Sequence, residues 1–177
     1  MSISMYQASV PTFNRYLGNL SFIIDKAAAH AATKKVDQAV YLQLRLYPDM
    51  FPFHRQIQQA TNHALRTGWL AGVPLPDLGK DESSFEDLKA RITATSSFLG
   101  SLTSEQINGT EEKEILMKFP NGTDRTFVGR DFLLNFALPE FFFHLTMAYA
   151  VLRSVGVEVG KWDFRGQPAN SAGSRPS

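Results

Sequence analysis

Apolar residues recur at alternating steps of three and four in several stretches of the chain, and this pattern predicts four long helices. The first runs from about Ser9 to Ala32, with Val10, Phe13, Leu17, Leu20, Ile24 and Ala27 on its stripe. Ser9 reads as its N-cap and Pro11 as a first-turn proline. The second begins after Asp49, a candidate cap, with Pro52 in its first turn. It carries His54, Ile57, Thr61, Ala64 and Gly68 on one line and Phe53, Ile57, Ala60 and Ala64 on the next, and it ends near Ala71-Gly72. The third opens on a capping box, Ser83 to Glu86, and its stripe is Phe85, Leu88, Ile92, Thr95, Leu99 and Leu102. The fourth runs from about Asp131 to Val155, with Pro139 inside it, where a missing N–H predicts a kink.

Between the third and fourth helices the period changes to two. Ile115, Met117 and Phe119 alternate, Asn121-Gly122 follows, and then Thr126-Phe127-Val128. Alternation on both sides of Asn-Gly predicts a β-hairpin. Val36 to Asp49 reads as a loop, in which Tyr41 to Leu46 is either a short helical turn or an extended piece. The whole is one all-α domain over residues 1–165. Residues 166–177, rich in Ser, Pro, Gly and Asn, predict a disordered tail.

Composition narrows the function classes. With 177 residues and 44% hydrophobic content the chain can bury an ordinary core. A net charge of +1 without a basic stripe argues against nucleic acid as a partner. The absence of cysteine excludes disulfides, thiolate metal sites and cysteine nucleophiles. Met1 to Gln7 shows neither the basic nor the apolar part of a secretion signal. The most apolar run, Phe132 to Leu152, is broken by Asn135, Pro139, Glu140 and His144. A cytoplasmic protein without a membrane partner is therefore expected, and the Asn-Gly-Thr sequons at Asn108 and Asn121 read as turns. No Gly-rich phosphate loop, Gly-x-Ser-x-Gly or His-Glu-x-x-His motif occurs.

The residues that invite chemistry are on the fourth helix. Glu140 and His144 lie one turn apart on the line Leu133, Phe136, Glu140, His144, Met147, Val151. Turned inward, a carboxylate and an imidazole need partners, and His54 on the second helix is the expected third group. Two histidines and a carboxylate form a common set for a first-row metal, and bundles build such sites from facing helices. The plainer reading makes His144 a hydrogen-bonded core histidine and leaves Glu140 facing solvent at the kink. His30 and His63 sit among polar residues and read as surface groups. Asp49 and Arg55 read either as a polar pocket rim or as a cap and a surface ion pair. Phe51, Phe53, Trp69, Phe136, Phe141, Phe142, Phe143 and Tyr149 supply aromatic surface for a pocket or for the core. Phe141 to Phe143 cannot all face one way, so at least one should meet a loop, ligand or partner.

Several blocks also carry a family resemblance. Met5 to Pro11, Leu17-Gly18-Asn19-Leu20, Asp25-Lys26-Ala27, Pro48 to Pro52, Gly129-Arg130-Asp131 and Phe136 to Pro139 through Phe143-His144 and Tyr149-Ala150 resemble a domain family of unknown function over roughly residues 1–165. That family is similar to the DinB/YfiT-like superfamily. The resemblance implies a four-helix bundle with a long crossover, frequent homodimers and a three-histidine metal site, in relatives that include thiol-dependent transferases and hydrolases. In that pattern the last helix carries His-x-x-x-His followed by Arg-Gly-Gln. Here Glu140 falls on the first histidine, His144 on the second and His54 near the second-helix histidine, while Arg-Gly-Gln is missing.

Two functions follow. One is an enzyme acting on a small molecule in a bundle pocket, with His144 and Glu140 as catalytic residues or with His54, Glu140 and His144 holding a divalent metal such as Zn, Ni or Mn. The other is a non-catalytic small-molecule-binding or dimerisation module.

Overall fold

The computed structural model describes residues 3–119 and 122–166; of the expected tail, residues 166–177, all but Gly166 lie outside them, as do residues 120–121. The first helix, α1 (Met5–Lys34), starts one turn earlier than the stripe suggests. Ser4 is the N-cap, in a capping box with Gln7, and Ser9 is instead buried inside the helix, its hydroxyl bonded to the carbonyl of Met5. Lys35 closes the helix in the left-handed region, with φ 56°. The heptad-like stripe is fully inward: Val10, Phe13, Leu17, Leu20, Ile24 and Ala27 are all buried.

The stretch after α1 contains a short helix, α2 (Gln38–Gln43), capped by Asp37. Next come α3 (Phe53–Leu65) and, after a single-residue break at Arg66, α4 (Thr67–Ala71), which ends on Gly72 as expected. Asp49 does not cap α3; Pro52 occupies that position without a side-chain bond. α5 (Phe85–Gly100) begins one residue later than its predicted box. Ser84 accepts from the Asp87 amide, and the Asp87 carboxylate accepts from the backbone and hydroxyl of Ser83. A short α6 (Ser104–Ile107) precedes the hairpin, β1 (Glu114–Lys118) and β2 (Asp124–Val128), paired antiparallel with Leu116 opposite Thr126. At its turn, Gly122 has φ 80°, a left-handed conformation that favours glycine, and donates to the carbonyl of Phe119. Asn108 is a fold residue, its side-chain Oδ1 accepting from the Tyr6 amide.

The last long helix is not one kinked α-helix. A short α7 (Gly129–Asp131) leads into a π-helical segment, Phe132–Ala137, and then into α8 (Leu138–Ser154). Pro139 cannot donate to the carbonyl four residues back, and its ring crowds that carbonyl. The wider i→i+5 turns absorb both problems just before it. α9 (Lys161–Arg165) then packs on α1, tied by Lys26 to Asp163 at 2.9 Å.

The four long helices close a bundle in which α1 packs on α5 and α8, and α3 packs on the same two. Consecutive helices α1 and α3 therefore lie across a diagonal, bridged by α2, and so do α5 and α8, bridged by the hairpin. The seam between α1 and α8 is aromatic. Phe13 meets Phe141 edge-on at 4.9 Å, and Tyr16 meets Phe142 at 4.7 Å; such pairs add about 1 kcal/mol each beyond their burial. Phe143, the third of the run, is the exposed one. Among the described residues no helix is long and apolar enough to cross a membrane.

Gly129 sits where the hairpin meets the last helix. A Cβ there would lie 2.0 Å from the carbonyl oxygen of Thr110, while the next amide, Arg130, bonds to the carbonyl of Glu111. Backbone cannot yield as a side chain can. Gly129→Ala should therefore cost about 3 kcal/mol, the upper end for overpacking, as measured by urea denaturation; an unchanged midpoint would show that the contact relaxes freely.

Candidate functional site

The polar residues that meet in the bundle come from α3 and α8. Phe53, Gln56, Ala60 and His63 on α3, with Thr67 at the start of α4, follow steps of three and four and are all buried. This is a second heptad-like stripe, hidden in the sequence because three of its five members are polar. It faces α8, where Glu140 and His144 stand one turn apart. His63, Glu140 and His144 present ligand atoms that all lie within 4.8 Å of one another. Both Nε2 atoms are 3.8 Å from Glu140 Oε2, and the two imidazoles stack at 5.7 Å with 21° between their planes.

His63 therefore occupies the place expected for His54. The reason is helical geometry: residues nine apart on a helix point about 180° apart. His54 lies on the Thr61 line, turned toward α2, and its Nδ1 is 2.9 Å from the carbonyl of Leu42. His63 is buried and not a surface group, with only 4% of its area exposed. His30 lies apart from the site, edge-on to Tyr41.

Hydrogen bonds fix the protons. The Gln56 amide nitrogen donates to the carbonyl of Phe51 at 3.0 Å, so its oxygen is the atom 2.8 Å from His144 Nδ1. Nδ1 then carries the hydrogen and donates it, and the Nε2 lone pair is directed to the Glu140 side. Burial lowers the His144 pKa to about 4, helped by the positive charge of Arg66. Burial, then Arg66, then His144 lower that of His63 to about 2. Both rings are neutral at pH 7. A lone pair and a carboxylate oxygen facing each other at 3.8 Å leave a place of matching charge for a cation.

The set could hold a divalent metal. Tetrahedral bonds of about 2.0–2.2 Å place ligand atoms about 3.4 Å apart, and each histidine Nε2 lies 3.8 Å from Glu140 Oε2. Gln56 supplies the outer hydrogen bond that orients a ligating histidine. His63 meets the requirement less directly. Arg66 Nη1 donates to it, lying 2.8 Å from Nδ1 and 3.2 Å from Nε2, so coordination there requires Arg66 to swing aside.

The triad forms one wall of a cleft of about 480 Å³ between α3, α8 and the hairpin. Phe119 and Phe136 form an aromatic wall, edge-on to each other at 6.4 Å. Arg55 also lines the cleft, held by Gln58 and lying over the Phe51 ring. This supports the pocket-rim reading of Arg55; among the described residues it makes no ion pair with Asp49. Phe51 also covers His144, stacked on its ring at 6.3 Å. Of the aromatic set expected around a pocket, Phe136 and Phe51 are at the site, whereas Phe53 and Phe141 are core.

Beneath the cleft lies a network with no clear signal in the sequence. Arg91 of α5 is almost fully buried. It donates to the Thr61 hydroxyl, the Asn62 side chain, the carbonyl of Gly79 and the buried carboxylate of Glu82. Gln58 donates to the same carboxylate and to the carbonyl of Lys80. The linker before α5 is thereby pinned to α3, which sets Lys80 at the cleft.

Comparison with known proteins agrees with this architecture. Residues 5–165 match a family described as a domain of unknown function, DUF1993. The chain is also similar to a crystal structure described as a DinB family member protein from Shewanella denitrificans. The two share 33% identity over 95% of each chain, with a TM-score of 0.85. No curated protein matches.

Proposed function

Because the chain belongs to the DUF1993 family, a branch with the DinB-like fold, we propose that it is a metal-dependent enzyme for a small molecule bound in the cleft between α3, α8 and the hairpin. The observation that carries this reading is the convergence of His63, Glu140 and His144 on one point of the cleft wall. A first-row divalent ion held there would act as a Lewis acid toward a substrate oxygen or a bound nucleophile.

The chain's own residues supply the rest. Gln56 holds His144 in the tautomer whose Nε2 lone pair is open. Burial keeps both imidazoles neutral, the form that ligates, across the physiological range. Glu140, the most exposed of the three, brings the negative charge. Phe119 and Phe136 shield one side of the cleft from water.

Calorimetric titration of chelator-treated, tag-free protein with zinc, nickel and manganese tests the reading. One of them should bind at one equivalent and raise Tm. His144→Ala and Glu140→Gln should each lose more than the roughly 10–100-fold typical of removing an outer hydrogen-bond partner, and Gln56→Leu should fall within that range. If none of the three metals binds or raises Tm, the metal-dependent reading is wrong. The second reading, a binding module without metal, draws on Arg66, whose guanidinium stands beside His63 where a cation is least welcome.

A further inference from the structure

The charge around the cleft is uneven. Arg55, Arg66, Lys80 and Lys118 line it, and Glu140 is the only carboxylate among its lining residues. Glu82, in the linker that carries Lys80, is taken by Arg91 and Gln58. The Arg66 guanidinium lies over both the Trp69 and Phe136 rings, at 5.7 and 5.9 Å. Its one partner at hydrogen-bond distance among the described residues is the neutral His63 ring. The Lys80 ammonium has no carboxylate within ion-pair distance among the described residues. Lys118 is exposed and stands opposite Asp124 in the strand register, so it contributes least. Burial lowers the Arg66 pKa from its ordinary value, while Glu140 opposes that shift. A half-buried guanidinium with spare donors is matched by an oxyanion.

We infer that the cleft takes an oxyanion, a carboxylate or phosphate monoester, whose charged head is bound by Arg66 with Lys80 and Arg55 and whose flat aromatic body lies against Phe119 and Phe136. The head then sits beside the His63, Glu140 and His144 cluster, within reach of its chemistry. This deepens the reading of the cleft as a small-molecule site and rests on that part of it, but not on the metal. The volume of about 480 Å³ suits a molecule of this size. The lone Glu140 repels the head, which keeps it on the arginine side.

The test uses the full chain, freed of metal by chelation, titrated with phenyl phosphate, benzoate and benzamide at low salt. At least one anion should bind about tenfold more tightly than neutral benzamide, and Arg66→Gln should weaken it about tenfold, the value of a hydrogen bond to a charged group. Arg66→Lys should recover part of the loss, Lys80→Gln should cost about threefold, as an exposed charge does, and Lys161→Gln on α9 should change nothing. Preference for phenyl phosphate or for benzoate assigns the head as phosphate or carboxylate. The inference is overturned if benzamide binds as well as both anions, or if neither anion binds to folded protein. It is also overturned if folded Arg66→Gln and Lys80→Gln both keep wild-type affinity. Anion binding without metal binding would remove the metal-dependent reading and leave this one; zinc binding without anion binding would do the reverse.

Discussion

Replacing Arg91 by leucine is expected to lower stability by about 3–5 kcal/mol, the cost of breaking a buried ion pair from one side. The arginine is 4% and the Glu82 carboxylate 6% exposed at their side chains, so Arg91→Leu leaves a buried charge supported only by the Gln58 amide. Against a total stability of about 5–15 kcal/mol this is a large fraction. For a chain of this size it corresponds to a drop of roughly 6–20 °C in Tm. Adding Glu82→Gln should recover part of the loss, because the stranded charge is then gone. The damage should reach the cleft as well. Gln58 and Asn62 line it and bond to Glu82 and Arg91, and Lys80 lines it with its carbonyl held by Gln58, so the linker carrying Lys80 would come loose from α3. A loss below about 1 kcal/mol by urea denaturation would mean that the network holds the linker but does not hold the fold.

Acid should destabilise the protein more than its carboxylates alone explain. The folded-state pKa of His144 is lowered to about 4 and that of His63 to about 2, against 6.5 in the unfolded chain. Below pH 6.5 the unfolded state therefore binds protons that the folded state refuses. The stability these rings contribute is complete above pH 6.5 and falls as pH drops toward 4 for His144 and toward 2 for His63. Between pH 7 and 5 each histidine should remove about 1 kcal/mol, a figure reduced by roughly half because the cleft is open to water. The measurement is Tm against pH for wild type and for the His63→Gln, His144→Gln double variant, both metal-free. The double variant should show a shallower slope between pH 7 and 5. Parallel curves would show that the two rings take up protons in the folded state without penalty.

The bundle itself was readable because burial follows periodicity. The stripes of α1 and α5 contain almost nothing but apolar residues, and every member named from the sequence is buried. The hairpin was readable for the same reason, since a period of two on either side of Asn-Gly has one common solution. The helix starts were less legible. Ser4, Ser9, Ser83 and Ser84 are all chemically able to cap, and only the packing of the following turn chooses among them.

At the site, the sequence by itself singled out Glu140 and His144, because two polar groups one turn apart interrupt an apolar line and need no knowledge of the rest of the fold. It could not choose their partner. His54 belongs to an apolar line and looked inward, while His63 lies among Gln58, Gln59, Thr61 and Asn62 and looked like surface. Those neighbours are polar because α3 is covered on two sides: Gln56 and His63 face α8, and Gln58, Thr61 and Asn62 bind Arg91, Glu82 and the linker. Hydrophobic period detects only burial against apolar atoms. Burial against a hydrogen-bonded network leaves a polar sequence, and only the tertiary structure shows which polar face is inside.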